Sequence, residues 1–394
     1  MLSTAPKRHF LSTGMLKLHT DDPYPTPLFQ IEERLNPKRA FLFVSTVLGR
    51  YIPVRPKEQD AVCRALARRA LGHVSPGPVL VMGYAEAAVG LGAAVARALS
   101  RMRPSQSFDY LPTTRHPIVG HAAWLTLTEA HSHAPDHHVC TPPPQPLQGY
   151  KTLVLVDDET TTGATFAALA AELQAKGLQF EAVILATLTD WTEGKAVERV
   201  ARELPEAKIH AVALQTGSWQ WFPANDIPPR QLPGPVEASC PVWEPNGREK
   251  EGAPRMGIAS AELDSSIPLD SIPILPSIEP VHRVLVIGAG ENTWRPYLVA
   301  EALELAGHDV HLVATTRSPI HPGKTIREKI TFPDHFGLGI EMYLHNVNPD
   351  EWDWILLFTE TTAAGVPAAL ADALGKGFVI DGDGDWTILT RSKR

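Results

Sequence analysis

The chain has 394 residues and a formal net charge of -8, and its residues are 44% hydrophobic and 20% charged. At about 100 to 200 residues per domain, this length predicts two domains with linkers. The composition is close to that of soluble globular proteins, which argues against disorder over most of the chain. The negative charge and the lack of a long Lys/Arg run argue against a nucleic-acid partner. No stretch approaches the roughly 18 apolar residues of a membrane span, which argues against a membrane partner.

The three cysteines are far apart in the sequence, at Cys63, Cys140 and Cys240. Their odd number and their spacing support neither a disulfide framework nor a CxxC metal knuckle. The first thirty residues lack the continuous apolar run and the small-residue cleavage site of a secretory signal. Together these features predict a cytoplasmic protein in which residues 1–28 are a peripheral tail.

Three apolar runs in the first half read as strands that are buried on both faces: residues 78–82, 152–156 and 181–185. Ala-rich helical segments lie between them, from Ala85 to Leu99 and from Ala164 to Lys176. Because strands that alternate with helices form parallel sheets, this part of the chain is predicted to be an α/β domain. We place it at residues 29–222.

A stretch rich in Pro, Ser, Glu and Gly follows, and its composition predicts a linker over residues 223–280. The periodic signal resumes with apolar strand patterns at residues 283–287, 309–313 and 354–358, and with a helix from Tyr297 to Leu305. A second, smaller α/β domain of Rossmann-like character is therefore predicted at residues 281–394. No fixed repeat of 20 to 50 residues is present, which argues against a solenoid or a propeller.

The sharpest motif runs from Val156 to Thr165, where an apolar strand ends in Asp157 and Asp158 and leads through threonines and a glycine into a helix. Two carboxylates can hold neighbouring hydroxyls of a sugar, while loop amides and the helix N-terminus can hold a phosphate. Gly163 allows the backbone to approach a ligand closely. The segment is predicted to bind a sugar phosphate, although a strand-to-helix turn capped by Asp and Thr is the alternative.

This segment resembles the motif of type I phosphoribosyltransferases that binds 5-phosphoribosyl-1-diphosphate (PRPP), an apolar strand followed by Asp-Asp-x-x-Thr-Thr-Gly-x-Thr. The resemblance implies that Asp157 and Asp158 bind the ribose hydroxyls. It also implies that the 5-phosphate binds the residues of the loop, which are Thr161, Thr162, Gly163, Ala164 and Thr165. Purine-salvage members place an acid where this chain has Thr161, so the position resembles the orotate branch more than the hypoxanthine branch.

The same resemblance implies a pyrophosphate loop after the strand at residues 79–82, formed by Gly83, Tyr84, Ala85 and Glu86. An ordinary strand-to-helix turn is the alternative for this stretch. Arg115, which follows the run at residues 108–111, is the candidate pyrophosphate clamp and catalytic residue, since a guanidinium binds phosphate through two parallel hydrogen bonds. A surface arginine explains the same position.

The resemblance also implies that the long His-rich stretch at residues 129–138 belongs to a mobile loop, which closes over the reactants in this family. A zinc site is the alternative, with ligands from His131, His133, His137, His138 and Cys140. Nothing in the spacing places these residues on a rigid helix or a CxxC turn. We therefore assign no metal site built from protein ligands alone.

Two further stretches narrow the resemblance to the orotate-phosphoribosyltransferase-like proteins of tellurium-resistance operons: residues 36–45 and 129–134. The run from Ala314 to Ile320 resembles the TRSP domain, which is named after this signature. One position departs from the family, because Thr46 stands where a lysine is expected after Ser45. Any substrate contact of that lysine is therefore not carried over to this chain.

Within the TRSP-like part, a turn containing Gly288 and Gly290 follows a strand and precedes a helix, and Arg317 and Ser318 follow the next strand. Such groups at the carboxyl edge of a parallel sheet predict a second anion site for a phosphorylated intermediate. The turn lacks the third glycine of G-x-G-x-x-G, and purely structural turns explain the same residues.

The expected reaction is displacement of pyrophosphate from PRPP by a nitrogen of a nucleobase-like acceptor, with Mg2+ as cofactor and without a protein nucleophile. The expected partners are PRPP and this small molecule, and a second copy of the chain is a candidate partner. Two other functions stay open. The first is a PRPP-sensing regulatory module without chemistry, and the second is a bifunctional enzyme whose TRSP-like half adds a reaction.

Overall fold

The computed structural model describes residues 6–21, 24–34, 39–116, 122–128, 136–146, 149–224, 234–237 and 254–389. The strands in chain order are β1 (Lys7–Leu11), β2 (Gly14–Asp21), β3 (Phe29–Glu33), β4 (Phe41–Ser45), β5 (Val79–Gly83), β6 (Phe108–Pro112), β7 (Leu125–Thr128), β8 (Asp136–Val139), β9 (Thr152–Thr160), β10 (Ala182–Asp190), β11 (Lys208–Pro223), β12 (Arg283–Gly288), β13 (Asp309–Ala314), β14 (Lys329–Pro333), β15 (Glu341–His345), β16 (Trp354–Phe358), β17 (Phe378–Ile380) and β18 (Trp386–Ile388). The α-helices are α1 (Pro56–Leu71), α2 (Ala88–Met102), α3 (Ala164–Ala175), α4 (Lys195–Glu203), α5 (Trp294–Leu305) and α6 (Ala368–Leu374). None of the helices in these ranges is long and apolar enough to cross a membrane.

The chain forms two compact units that interleave along the sequence. The first contains Met1–Leu28, Ala61–Ile227 and Arg255–Ser265, and the second contains Phe29–Asp60, Pro228–Pro254 and Ser266–Arg394. Part of the predicted linker is thus packed against the first unit. The domain boundaries predicted from the sequence, 29–222 and 281–394, stay predictions.

The first unit is built on a seven-stranded sheet of order β1-β2-β11-β10-β9-β5-β6. The five strands from β11 to β6 are parallel, whereas β1 and β2 form a hairpin that pairs antiparallel to the end of β11. Strands β5, β9 and β10 carry the unbroken apolar runs because both faces of the sheet are covered. The α/β prediction is confirmed for this unit.

Two of the predicted boundaries that differ from the structure lie beside the candidate site. Strand β9 continues past Val156 to Thr160, because β10 also extends and pairs Thr187 with Asp157 and Asp190 with Thr160. Helix α2 begins at Ala88 rather than at Ala85. The amide of Ala85 donates instead to the Thr113 hydroxyl, at 2.9 Å, so this residue belongs to a turn.

The second unit contains a five-stranded sheet of order β13-β12-β16-β17-β18, whose first four strands are parallel. Its core packs apolar side chains of β12 and β16, such as Ile287 and Leu357, against those of the β14–β15 hairpin. The segment Phe29–Asp60 belongs to this unit, where Val54 forms an antiparallel bridge with Leu312. Strand β12 lies between β13 and β16, so the strands that follow it in sequence are placed on both of its sides. This reversal of strand order is typical of a Rossmann-like sheet, as predicted.

Candidate functional site

The predicted sugar-phosphate loop lies at the carboxyl end of β9, in the middle of the parallel sheet. After Thr160, a turn of three residues leads into α3, and Gly163 stands at its N-terminus with φ +70°. The loop is therefore placed between a rigid strand and the positive end of a helix dipole. This arrangement suits an anion at the turn.

Gly163 is required for steric reasons as well as for its backbone angle. A Cβ at this position would lie 2.5 Å from the Cα of Ala196 and 2.6 Å from its Cβ. The contact joins the loop to the first turn of α4 (Lys195–Glu203), and only glycine allows so close an approach. The loop and α4 are consequently packed without room for a side chain.

Asp157 and Asp158 are both partly buried at the end of β9. The amide of Asp158 donates to Asp157 Oδ1 at 2.9 Å, and the amide of Glu159 donates to Asp158 Oδ1 at 3.0 Å. Burial raises the pKa of Asp158 from 3.8 to about 6, and the negative charge of Glu159 adds to this effect. The site therefore concentrates negative charge that sugar hydroxyls or a cation can stabilise.

The predicted pyrophosphate loop follows β5 and is tied directly to the sugar-phosphate loop. The amide of Tyr84 donates to the carbonyl of Val156 at 3.1 Å, and its buried hydroxyl donates to the carbonyl of Thr165 at 3.2 Å. Gly83 is also crowded, since a Cβ there would lie 2.3 Å from the carbonyl oxygen of Ala88. The peptide bond between Ala85 and Glu86 is cis. Through its hydroxyl, the side chain of Tyr84 joins the predicted pyrophosphate loop to the predicted sugar-phosphate loop.

Arg115 lies in a turn beyond β6, the strand next to β5. At the carboxyl ends of β5 and β6, the amide of Thr113 donates a hydrogen bond to the carbonyl of Gly83 at 2.9 Å. Thr114 forms an antiparallel bridge with His138 of β8. The half-buried Arg115 points its Nη1 to within 3.5 Å of the carbonyl of Asp136. The structure therefore brings the predicted sugar-phosphate loop, pyrophosphate loop and arginine to one edge of the sheet.

The supporting roles of Thr113 and His137 were not predicted from the sequence, which offered His137 only as a candidate zinc ligand. The Thr113 hydroxyl accepts the amide of Ala85 and lies 2.9 Å from His137 Nδ1, and the His137 ring packs edge-on against Tyr84, with the ring centroids 5.9 Å apart. Both side chains are buried. They hold the predicted pyrophosphate loop against β8, and only the fold reveals this because the residues are distant in sequence.

The zinc alternative involves residues on both sides of the described boundary. His131 and His133 lie outside the described residues, whereas His137 and Cys140 are buried and His138 contacts the Thr126 hydroxyl at 3.0 Å. Among the described residues, no group of three His, Cys, Asp or Glu side chains could hold a metal ion. His137 instead contacts Thr113 and Tyr84 beside the predicted pyrophosphate loop.

In the second unit, the predicted anion residues follow the neighbouring strands β12 and β13. The amide of Gly290 donates to the Thr315 hydroxyl at 2.7 Å, and its carbonyl accepts from Arg50 Nη1 at 2.6 Å. Gly288 ends β12, whereas Arg317 and Ser318 are half-buried beyond β13. The sequence did not indicate Arg50, a buried arginine that comes from the segment Phe29–Asp60.

Residues 28–218 match the family described as phosphoribosyl transferase, and residues 255–374 match the TRSP domain described as C-terminal to that transferase domain. Together the two matches span most of the chain. A search of curated proteins found no significant match.

Similar solved structures include adenine phosphoribosyltransferase from Rhodothermus marinus, with 18% identity, TM-score 0.29, and coverage of 50% of this chain and 93% of that chain. Orotate phosphoribosyltransferase from Aeropyrum pernix has 20% identity and TM-score 0.29, covering 45% of this chain and 80% of that one. The Trypanosoma brucei adenine enzyme, in complex with AMP, pyrophosphate and ribose-5-phosphate, has 13% identity and TM-score 0.34, covering 47% and 76%. Similarity at this level does not identify a substrate.

Proposed function

The chain belongs to the phosphoribosyl transferase family in which a TRSP domain follows the transferase domain, and from this premise we propose that it transfers the 5-phosphoribosyl group of PRPP to a nucleobase-like acceptor. The observation that carries the proposal is that Asp157-Asp158, the Gly83–Glu86 turn and Arg115 meet at one edge of the parallel sheet. Carboxylates for ribose hydroxyls, a helix N-terminus for the 5-phosphate and a guanidinium for pyrophosphate match the three parts of PRPP.

The transfer breaks the bond between C1 of the ribose and the diphosphate oxygen, and an acceptor nitrogen forms the new bond to C1. Positive charge develops on the ribose ring, and the electron pair of the broken bond leaves with pyrophosphate. Asp157 and Asp158 hold the ribose, residues Thr161 to Thr165 hold the 5-phosphate, and Arg115 balances the charge of the leaving group. Most of the rate enhancement then comes from alignment and electrostatic stabilisation.

Mg2+ is the proposed cofactor because the donors at this edge suit a small, hard cation. The partly buried carboxylates of Asp157 and Asp158 are neighbours. Burial, and after it the charge of Glu159, raises the pKa of Asp158, and a bound cation would favour its ionised form. Mg2+ is commonly held by one or two carboxylates, waters and substrate phosphates rather than by a cage of protein ligands. When bound, it neutralises charge on the diphosphate.

For the acceptor, we propose an orotate-like rather than a hypoxanthine-like base, because Thr161 stands where purine-salvage members carry an acid. The resemblance of residues 36–45 and 129–134 to proteins of tellurium-resistance operons supports a role in a stress-linked pathway for a nucleotide-like metabolite. We also propose that the protein is cytoplasmic and that it acts as a homodimer.

The first experiment incubates the full chain with PRPP, Mg2+ and a panel of purine and pyrimidine bases. We expect pyrophosphate release above the acceptor-free background with at least one pyrimidine, and a product in which a 5-phosphoribosyl group replaces one hydrogen of the base, so that its mass is that of the base plus ribose 5-phosphate minus one water. Reactions without acceptor measure hydrolysis of PRPP. Tight PRPP binding without release for any base would contradict the transferase and favour the sensor.

We propose that the second unit binds a phosphorylated intermediate near Gly288, Gly290, Arg317 and Ser318. Ribose 5-phosphate titrated into the full chain should then occupy two sites, as measured by calorimetry. Arg317→Ala should remove one site, because the guanidinium supplies the positive charge, whereas the exposed Arg327→Ala serves as a control that retains both. Two unchanged sites in Arg317→Ala would contradict this assignment.

A further inference from the structure

A stretch within the predicted Pro-rich linker pairs with β6, the outermost strand of the seven-stranded sheet. Tyr110 of β6 and Ile258 exchange backbone hydrogen bonds, at 2.9 Å and 2.8 Å, in an antiparallel bridge. This stretch, Arg255–Ser265, belongs to the first compact unit although the rest of the matched TRSP domain does not. It therefore pairs with β6, the strand that leads into the turn containing Arg115.

A buried carboxylate holds the stretch in place. Asp109 of β6 is 2% exposed, and its Oδ1 accepts the amide of Ser260 at 2.9 Å. Its Oδ2 accepts from the Tyr150 hydroxyl at 2.8 Å and from Gln145 Nε2 at 2.7 Å. Burial raises the pKa of Tyr150, with a further contribution from Asp109, so the phenol stays a neutral donor. Because a buried carboxylate is costly without hydrogen bonds, these contacts fix the position of Ser260.

Arg255 begins this stretch and reaches the turn that contains Arg115. Arg255 is only 4% exposed, and its Nη1 donates a hydrogen bond to the carbonyl of His116 at 2.7 Å. The Thr114 hydroxyl closes the same turn, since it accepts the amide of His116 at 3.0 Å and lies 3.2 Å from the His116 carbonyl. Hydrogen bonds thus hold both neighbours of Arg115, Thr114 and His116, in place.

We propose that Arg255 is a positioning residue, which holds the Thr114–His116 turn so that the Arg115 guanidinium meets the pyrophosphate of PRPP. This inference rests on the proposed function. Arg115 itself is half-buried, and its Nη1 lies 3.5 Å from the Asp136 carbonyl. The backbone of the turn sets the point and the direction from which its side chain extends. Orientation of a clamp before the ligand binds lowers the entropic cost of binding.

The test uses Arg255→Met in the full chain, because Met retains a long buried side chain and removes the guanidinium. We expect KM for PRPP to rise about 10- to 100-fold, the size expected when a charged hydrogen bond is lost, with a smaller change in kcat. Arg255→Lys should recover part of the affinity. Arg101→Ala is the matched control, since it removes an exposed ion pair between Arg101 and Asp264 of the same stretch.

A double mutant separates positioning from general structural damage. If Arg255 acts through Arg115, then Arg255→Met should add little to the effect of Arg115→Ala, whereas independent effects would multiply. Multiplicative effects, or an unchanged KM in Arg255→Met, would overturn the proposal. An inactive wild-type chain would instead contradict the proposed function.

Hydrogen exchange gives a readout that does not require activity. The amides of Thr114 and His116 should exchange at least about tenfold faster in Arg255→Met than in the wild type, whereas Arg101→Ala should leave them unchanged. Equal exchange in all three proteins would overturn the inference even if no substrate had been found.

Discussion

Asp157→Asn and Asp158→Asn are each expected to lower kcat/KM for PRPP by about a hundredfold or more, since each variant removes a charge from the site proposed to bind the ribose hydroxyls and Mg2+. Both side chains lie at the end of β9, where strand pairing holds the backbone in place. Pyrophosphate release and PRPP binding by calorimetry measure the effect. Asp264→Asn, which changes an exposed carboxylate in the same unit, is the control. Wild-type activity in both site variants would refute the assigned loop.

The Asp158 variant should also be more stable than the wild type when no ligand is bound. The folded chain raises the pKa of Asp158 from 3.8 to about 6, so between these values the folded state keeps a proton that the unfolded state has lost. Stability contributed by this group therefore falls as the pH rises through this window, and the penalty is complete above it. Asn removes the penalty because it carries no charge.

The expected gain in the free energy of unfolding is about 1 kcal/mol at pH 7.5, with little gain below pH about 4. The full shift would correspond to at most about 3 kcal/mol, but partial exposure of Asp158 to water reduces this value. Urea unfolding of both proteins at the two pH values measures the difference. A variant that is less stable at pH 7.5 would show that the carboxylate contributes to folding in ways other than its charge.

The features of the site that were predicted from the sequence share a physical cause. Strand ends, glycine turns and helix starts are encoded over a few residues, and the parallel pattern places the carboxyl ends of β5, β6 and β9 at one edge. The loop at Asp157 could therefore be located from the sequence, whereas the turn at Gly83 was assigned a ligand only through the family resemblance. The alternation of strands and helices gave the α/β class in the same way.

The residues that were missed depend on contacts between distant parts of the chain. Thr113 and His137 meet only because β6 and β8 approach each other, and Arg255 reaches His116 across 139 positions. Nothing local marks the Pro-rich region as containing a stretch that packs on β6. Helix α2 began later than predicted for a related reason, since a tertiary hydrogen bond to Thr113 holds Ala85 in the turn.

Gly163→Ala is expected to lower the free energy of unfolding by about 2–4 kcal/mol and to weaken PRPP binding by about a hundredfold or more. Two costs add. The residue has φ +70°, which costs an L-residue roughly 1–2 kcal/mol, and its new Cβ would overlap the backbone of Ala196. Relief of the overlap requires the loop or α4 to move, and either movement displaces the groups proposed to hold the 5-phosphate.

Gly177→Ala separates the two costs. Gly177 lies just beyond the other end of α3 and has φ +90°, but a Cβ there would meet nothing within 4 Å. This control should show only the conformational cost, about 1–2 kcal/mol, with normal PRPP binding. The difference between the variants in urea unfolding then measures the overlap with Ala196.

Ala196→Gly in the Gly163→Ala background should restore only part of the loss. It removes the Cβ that would lie 2.6 Å away, but it leaves the Cα at 2.5 Å, so the backbone must still shift. Partial recovery of both stability and PRPP affinity would connect the packing of α4 with the geometry of the phosphate loop. If Gly163→Ala were as stable as Gly177→Ala and bound PRPP normally, the close approach to α4 would have no part in shaping the site.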